Sequence, residues 1–593
     1  MKHSRATVVL ILFLSLHGFS FAEEKQSQLS PGYYDIDQAE EFYGRQDWEN
    51  VRKAYSDLVK ANPYNGKYWT RLGEACASLK DYNASIDAYK RQLETGYELG
   101  TGIFNIAAAH ALLNQPEEAV NWLKKLIPLK YWSEMYLLLQ LKGDDFKNIR
   151  NHPEFLKLMP PKPSPDPPRD EGWRADLKCL AEHLVVEHYS IYNKVSKEQF
   201  ETSVKNLHER IPGLPDHEII VEMMKIVAAI GDGHTSLFPP DKGKYPFHQI
   251  PVMFYEFKEG LFVRAAPNKY RQAVGRKVVK IGDKTVEEAR QLIKTVAPAD
   301  HELTHRWTGP VYLTIPEVLY NLGMTGDLNK ITVELEDEAG TRSLATFDAE
   351  PFDLNKRRDK VEDKDWVSAR DKAGSPTPLW LKDPNNQYWF EYLPDRRMVY
   401  FQFNQILNKG MKIPGMPELD ELFKSPDGST ETIAEFCRRL FGFINSHDVE
   451  YLVIDLRLNN GGNSFLNQAL VHEIIKSEKI NQKGRLFTII GRRTYSACQN
   501  LSTDLERETQ TILVGEPTGS KPNFIGEDNH LVLPYSGLMG SISNRYHQHS
   551  ILSDDYRYWI APDIAAELSI KDYTSNVDPA MTAILDYIDK EKK

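Results

Sequence analysis

The stretch Tyr451-Leu452-Val453-Ile454-Asp455-Leu456-Arg457-Leu458-Asn459-Asn460-Gly461-Gly462-Asn463 decides the fold. It opens with an apolar run that does not alternate, which predicts a buried strand ending on a polar residue. Two adjacent glycines follow. Without side chains, their backbone N–H groups are free to face a ligand, which is how an oxyanion hole is built. Asp455 and Arg457 are expected to pair and brace the loop. Taken alone, the segment also fits an ordinary glycine turn.

Its neighbours repeat the pattern. Residues 398–403 alternate as a strand, and 431–444 form an amphipathic helix. A helix is expected over 465–476, a strand over 486–491, a helix over 496–508 and a strand over 511–515. Strands alternating with helices imply an α/β sheet. Ligands in such sheets sit at strand C-terminal ends, so the turns after Leu456 and Gly491 are where chemistry is expected.

The whole chain has 593 residues, 41% hydrophobic and 26% charged, enough apolar material for several cores. Its 73 Lys+Arg against 84 Asp+Glu give a net charge of −11, with no basic footprint for nucleic acid. The four cysteines, Cys76, Cys179, Cys437 and Cys498, lie far apart and form no CxxC pair. This excludes a disulfide scaffold and gives no sign of a metal site; no cofactor is expected. Residues 1–22 read as an export signal: basic Lys2 and Arg5, an apolar run from Ala6 to Leu16, and small residues at Ser20 and Ala22. The expectation is an exported protein, periplasmic or secreted, with no membrane span after signal removal.

Residues 23–159 read as helical repeats. Ala39, Gly73 and Ala107 are each 34 apart, as are Tyr55 and Tyr89, and Asp47 and Asp81. That period resembles the tetratricopeptide family, with units at 33–66, 67–100 and 101–134. The resemblance implies either a docking surface for a protein partner or a purely architectural array. A linker is expected over 160–172, where six prolines fall within the nine residues 160–168. Residues 173–240 read as a helical cap ending in the Gly231-Asp232-Gly233-His234-Thr235 turn. Residues 245–352 are β-rich and similar to a divergent PDZ module, 353–385 form a charged linker, and 386–593 the α/β core.

Three further segments carry candidate chemistry. Ser496, in Thr494-Tyr495-Ser496-Ala497-Cys498-Gln499-Asn500, opens a helix after a strand, where amides stabilise negative charge; an N-cap serine would occupy the same place without catalysis. His234 lies in a glycine-flanked turn and gains meaning only if the fold brings it to Ser496. Lys521, in Gly515-Glu516-Pro517-Thr518-Gly519-Ser520-Lys521, ends another strand and could equally be a solvated surface lysine.

Together and in this order, the four segments resemble the tail-specific, or C-terminal processing, serine peptidases over residues 173–593. The resemblance implies hydrolysis of peptide or protein substrates through an acyl-enzyme on Ser496, with oxyanion donors from the amides of Ala497 and of Gly461 or Gly462. The processing branch of that family uses a Ser–Lys dyad, and Lys521 has the matching spacing. Yet the residues that support the lysine there are replaced here by Gln499 and Ile525. The branch similar to the tricorn core peptidases uses a histidine and a late carboxylate, for which His234 and Asp555, or its neighbour Asp554, stand in place. His234 is the favoured base, because neutral imidazole needs no large pKa shift to accept a proton. The alternative is a non-catalytic peptide- or lipid-binding or scaffold protein on the same fold, with the repeats as its interaction module.

Overall fold

The computed structural model describes residues 36–129, 137, 140–141, 143–158, 167–353, 365–371, 373–410 and 428–591. The expected signal, residues 1–22, lies outside them, as do 160–166 of the proline run and 354–364 of the charged linker. The fold is multidomain α and α/β: N-terminal helical repeats, a helical cap, a β-rich module and an α/β core. The chain divides into two compact units, one containing residues to 132 and 141–160, the other containing 133–140 and 161–593.

The first unit is a series of antiparallel helices: α1 (Ile36–Gly44), α2 (Trp48–Ala61), α3 (Gly66–Ser78), α4 (Tyr82–Glu94), α5 (Leu99–Leu112) and α6 (Pro116–Leu126). The 34-residue period has a physical cause at each recurrence. A Cβ on Gly73 would fall 2.5 Å from the ring of Tyr89, so the paired helices approach too closely for a side chain. Ala39 and Ala107 are fully buried at the equivalent positions. Asp47 and Asp81 cap α2 and α4 by accepting from the amides of Asn50 and Ala84. The residue before each cap, Gln46, Lys80 and Asn114, takes a left-handed φ of 56°, 64° and 56°, which turns the chain sharply enough for successive helices to stack.

In the second unit α7 (Arg169–Glu187), α8 (Lys197–Arg210) and α9 (Asp216–Ala228) form the cap. The expected linker is shorter than its 160–172 reading: Pro168 is the N-cap of α7, and residues 169–172 are already helical. Proline ahead of the first turn is compatible with a helix, so the proline run ends the linker without delaying the helix. Strand β1 (Ser236–Leu237) leads to the β-rich module: β2 (Met253–Phe257), β3 (Gly260–Pro267), β4 (Lys277–Ile281), β5 (Lys330–Glu336), β6 (Arg342–Asp348) and β7 (Trp366–Ser368). They join one sheet in the order β7-β3-β4-β5-β6, with β2 paired to β3. Between β4 and β5 lie α10 (Val286–Ile293), α11 (Glu302–Tyr312) and a short helical turn, Pro316–Asn321. The sequence reads as strand and turn over 278–286 and then a helix from Glu287, which is where α10 stands. Helix α11 is not legible in the sequence, because Pro310 inside it reads as a breaker; Pro310 falls in the last turn.

The core sheet contains β8 (Tyr388–Leu393), β9 (Met398–Phe403), β10 (Tyr451–Asp455), β11 (Leu486–Ile490), β12 (Ile512–Gly515) and, after the hairpin described next, β15 (Ile564–Ala565). Their spatial order is β8-β9-β10-β11-β12-β15, all parallel except the β8–β9 pair. All five residues of β10 are buried, as are all five of β11. Helices α12 (Ile433–Ser446), α13 (Asn467–Lys476) and α14 (Ala497–Glu508) cover one face, and α15 (Pro579–Glu591) the other. The long hairpin of β13 (Asn523–Val532) and β14 (Met539–Gln548) adds β1 as its third strand. That pairing carries the Asp-Gly-His-Thr turn to the core.

Because the two units are separately compact, deleting residues 23–160 is expected to leave 161–593 folded, with one cooperative melting transition. Aggregation of the truncated chain, or a broad non-cooperative melt, would contradict this boundary.

Candidate active site

Three turns leave the C-terminal ends of the adjacent parallel strands β10, β11 and β12. The first is the double-glycine loop. Arg457 holds it from both sides: its Nε lies 3.0 Å from Asp455 Oδ1, and its two terminal nitrogens each lie 2.9 Å from the Asp578 carboxylate. Tyr400 donates to Asp455 Oδ2 at 2.6 Å. Asp578 also accepts from the Ala580 amide at the start of α15, so the C-terminal helix is tied to this loop. Removal of Arg457 would leave the two buried carboxylates of Asp455 and Asp578 without their counter-charge.

The second turn presents Ser496 between β11 and α14. Its backbone has φ 55° and ψ −126°, a conformation costly for a residue with a Cβ. An ordinary N-cap residue has an extended backbone and accepts from the first helical amides through its side chain. Ser496 does neither: no side-chain cap hydrogen bond is present. Its amide donates to Ser520 Oγ at 3.4 Å, which ties the second turn to the third.

Gly461 closes on this turn. A Cβ there would lie 2.8 Å from Ser496 Cβ and 2.9 Å from the Ala497 nitrogen, and its φ is 110°. The Gly461 amide is engaged by Asn459 Oδ1 at 2.9 Å. The amides of Gly462 and Ala497 donate to no other protein group among the described residues. Of the three oxyanion donors read from sequence, those two are therefore the available ones.

His234 reaches the site from the cap. Asp232 builds its turn: Oδ1 accepts from the amides of His234 (2.9 Å) and Thr235 (2.7 Å) and from Ser543 Oγ (2.9 Å), while Oδ2 meets His188 Nε2 at 2.7 Å. Burial opposes the Asp232 charge, but these hydrogen bonds outweigh it and hold the carboxyl below its ordinary value. The His234 ring is stacked between Tyr495 and Phe524, with centroids at 4.6 and 5.4 Å. Its Nδ1 lies 3.0 Å from the hydroxyl of Tyr495, the residue before Ser496. Its Nε2 is buried with no hydrogen-bond partner.

Lys521 follows Ser520, and its ammonium lies 5.6 Å above the ring of Tyr558. Asp555 is held elsewhere: Arg557 pairs with it at 2.9 Å and reaches Glu506 on α14 at 2.8 Å. The hydrogen bond from Arg557, and after it that from Ser550, lowers the Asp555 carboxyl. None of its hydrogen bonds goes to His234. Asp554 is exposed.

The segment entering α11 adds residues that sequence reasoning missed. Asp300 Oδ1 accepts from the Gly233 amide at 3.1 Å, and its carbonyl accepts from Lys194 Nζ at 3.1 Å. Thr304 Oγ1 donates to the Gly519 carbonyl at 2.9 Å, fastening α11 to the third turn. His301 is a second histidine here. Burial, then the charges of Lys521 and Lys194, hold it down to about 4, so it takes a proton reluctantly near neutrality. Only the Asp300-His301 pair ahead of a short apolar spacing could have flagged this segment.

No protein-family model matches the chain. The formate-dependent nitrite reductase complex subunit NrfG of Escherichia coli O157:H7 is 28% identical over 161 residues, 27% of this chain and 80% of that protein. Among solved structures, mature CPAF is 11% identical, with 72% of this chain and 97% of that one covered, at a TM-score of 0.45. The photosystem II D1 C-terminal processing protease is 12% identical, covering 69% and 98%, at 0.32. The tricorn protease is 14% identical, covering 72% and 37%, at 0.32.

Proposed function

We propose that this chain is an exported serine endopeptidase of the tail-specific type, acting on peptide or protein substrates through Ser496. The observation that carries the reading is the strained strand-to-helix backbone at Ser496, whose hydroxyl caps nothing. Strain of this kind persists where the surrounding structure has a use for it.

In this reading Ser496 Oγ attacks the carbonyl carbon of the scissile bond. The hydroxyl proton passes to His234 Nε2, and the carbonyl electron pair becomes an oxyanion facing the amides of Ala497 and Gly462. The intermediate collapses, the C–N bond breaks, and His234 returns its proton to the leaving amine. Water then attacks the acyl-enzyme by the same route and frees Ser496. The start of α14 adds a partial positive charge beside the oxyanion. No metal or cofactor is invoked. Among the described residues no helix is long and apolar enough to cross a membrane. The helical repeats would serve as a docking module for a protein partner or for the substrate.

Gly461→Ala tests the site's geometry without touching a reacting group. The new methyl would press on Ser496 Cβ and the Ala497 amide from a backbone conformation that suits only glycine. Loss of an oxyanion donor elsewhere costs about 10²–10³ in turnover, and a similar fall is expected here. Assay on unfolded protein, with product termini read by mass spectrometry, checks this. Full activity in the variant would remove the double-glycine loop from the mechanism.

A further inference from the structure

We infer that Asp300 and Tyr495 are positioning residues for His234, forming a relay in which the buried Asp300 carboxylate orients the Tyr495 hydroxyl and the hydroxyl fixes the proton on His234 Nδ1. The inference rests on the reading of His234 as base, and it supplies the carboxylate from α11's entry rather than from the Asp555 region.

The geometry is specific. Tyr495 OH is 3.0 Å from His234 Nδ1. A Cβ on Gly233 would lie 2.2 Å from that hydroxyl and 3.5 Å from the Asp300 backbone nitrogen, so only a glycine leaves room for the hydroxyl beside the Asp300 segment. Asp300 Oδ1 is anchored by the Gly233 amide, while Oδ2 is buried with no hydrogen-bond partner. Tyr495 and Asp300 are 6% and 7% exposed, so water competes little for either. Burial, then the charges of Asp300 and Asp232, keep the Tyr495 hydroxyl protonated far above its ordinary range.

The proton bookkeeping gives the relay its use. A tyrosine hydroxyl has one proton. If it points to Nδ1, the neutral imidazole carries its own proton on Nε2 and cannot accept one from Ser496. If it points to Asp300, the hydroxyl oxygen accepts from Nδ1–H, and Nε2 presents a lone pair. An ionised Asp300 accepts only, so it selects the second arrangement. Burial lifts the Asp300 carboxyl, while the positive charge on His234 works the other way. The carboxylate is therefore most stable when the imidazolium forms, which is when attack occurs.

The test uses the full chain with ¹⁵N-labelled histidine, and a His234→Asn variant assigns the resonances. At a pH where the imidazole is neutral, native His234 should carry its proton on Nδ1. In Asp300→Asn the proton should move to Nε2 or divide between the two nitrogens. Turnover in that variant should fall by about 10²–10⁴, the scale of a wrong-tautomer defect elsewhere, with KM little changed. Tyr495→Phe should give the same loss, and the double variant no more than either single one. If Asp300→Asn does not fold, Tyr495→Phe still reads the central bond. A native Nε2–H tautomer, an unchanged tautomer in Asp300→Asn, or full turnover in Tyr495→Phe would overturn the relay. Failure of the native protein to hydrolyse any peptide would instead sink the peptidase reading, leaving the tautomer measurement to judge the relay alone.

Discussion

Ser496→Ala is expected to lose peptidase activity by about 10⁴–10⁶ while the protein stays folded. The hydroxyl makes no hydrogen bond to any described residue and caps no amide, so its removal leaves no buried partner unsatisfied. Alanine keeps the same Cβ, so the cost of the φ 55° backbone is already present in the native protein. Melting temperature should move little, because a cap contributes at most about 2 kcal/mol and no cap exists here. Stability and activity therefore separate in this variant. A large drop in melting temperature would mean that the hydroxyl holds the turn together, and robust turnover would exclude Ser496 as nucleophile.

The second large effect separates the two candidate bases. His234→Ala should cost several orders of magnitude in turnover, as loss of a triad member does elsewhere. Lys521→Ala should cost about tenfold or less. His234 stacks on the residue next to the nucleophile and has an unpartnered buried Nε2. Lys521 instead lies over the ring of Tyr558. A lysine base also needs strong desolvation to lose its proton, and the residues that support it in the processing branch are Gln499 and Ile525 here. Both variants should be measured at saturating substrate, so that a binding role for Lys521 appears in KM. An inactive Lys521→Ala beside a nearly normal His234→Ala would move the chain to the Ser–Lys branch.

Much of this architecture was legible because its signals are local. Buried parallel strands read as unbroken apolar runs, and residues 451–455 and 486–490 appear where those runs stand. The 34-residue period survives because the small residues Ala39, Gly73 and Ala107 are buried alike and Asp47 and Asp81 each cap a helix. The turn bearing His234 and the turn bearing Ser496 were each visible as motifs. What brings them together was not. The β13–β14 hairpin carries Gly526 and a Glu527 with φ 58°, which interrupt the strand pattern of β13, while the cap turn pairs through Gly540 and Ser541 of its partner β14. Helix α11 is hidden by Pro310 within a segment that otherwise reads as strands. Asp300 and Tyr495 matter only through contacts across 195 positions of sequence, and no spacing rule reaches that far. Asp555 was read from its place in the motif order, but Arg557, two residues on, binds its carboxylate.

The central claim is that Ser496 is an activated nucleophile, and covalent labelling tests it most directly. The purified full chain, treated with an active-site serine phosphonate and digested, should yield one modified peptide, with the added mass on Ser496. Labelling should fail in Ser496→Ala and slow sharply in His234→Ala. An unlabelled Ser496 in folded protein, or a label placed on another residue and retained in Ser496→Ala, would contradict the account.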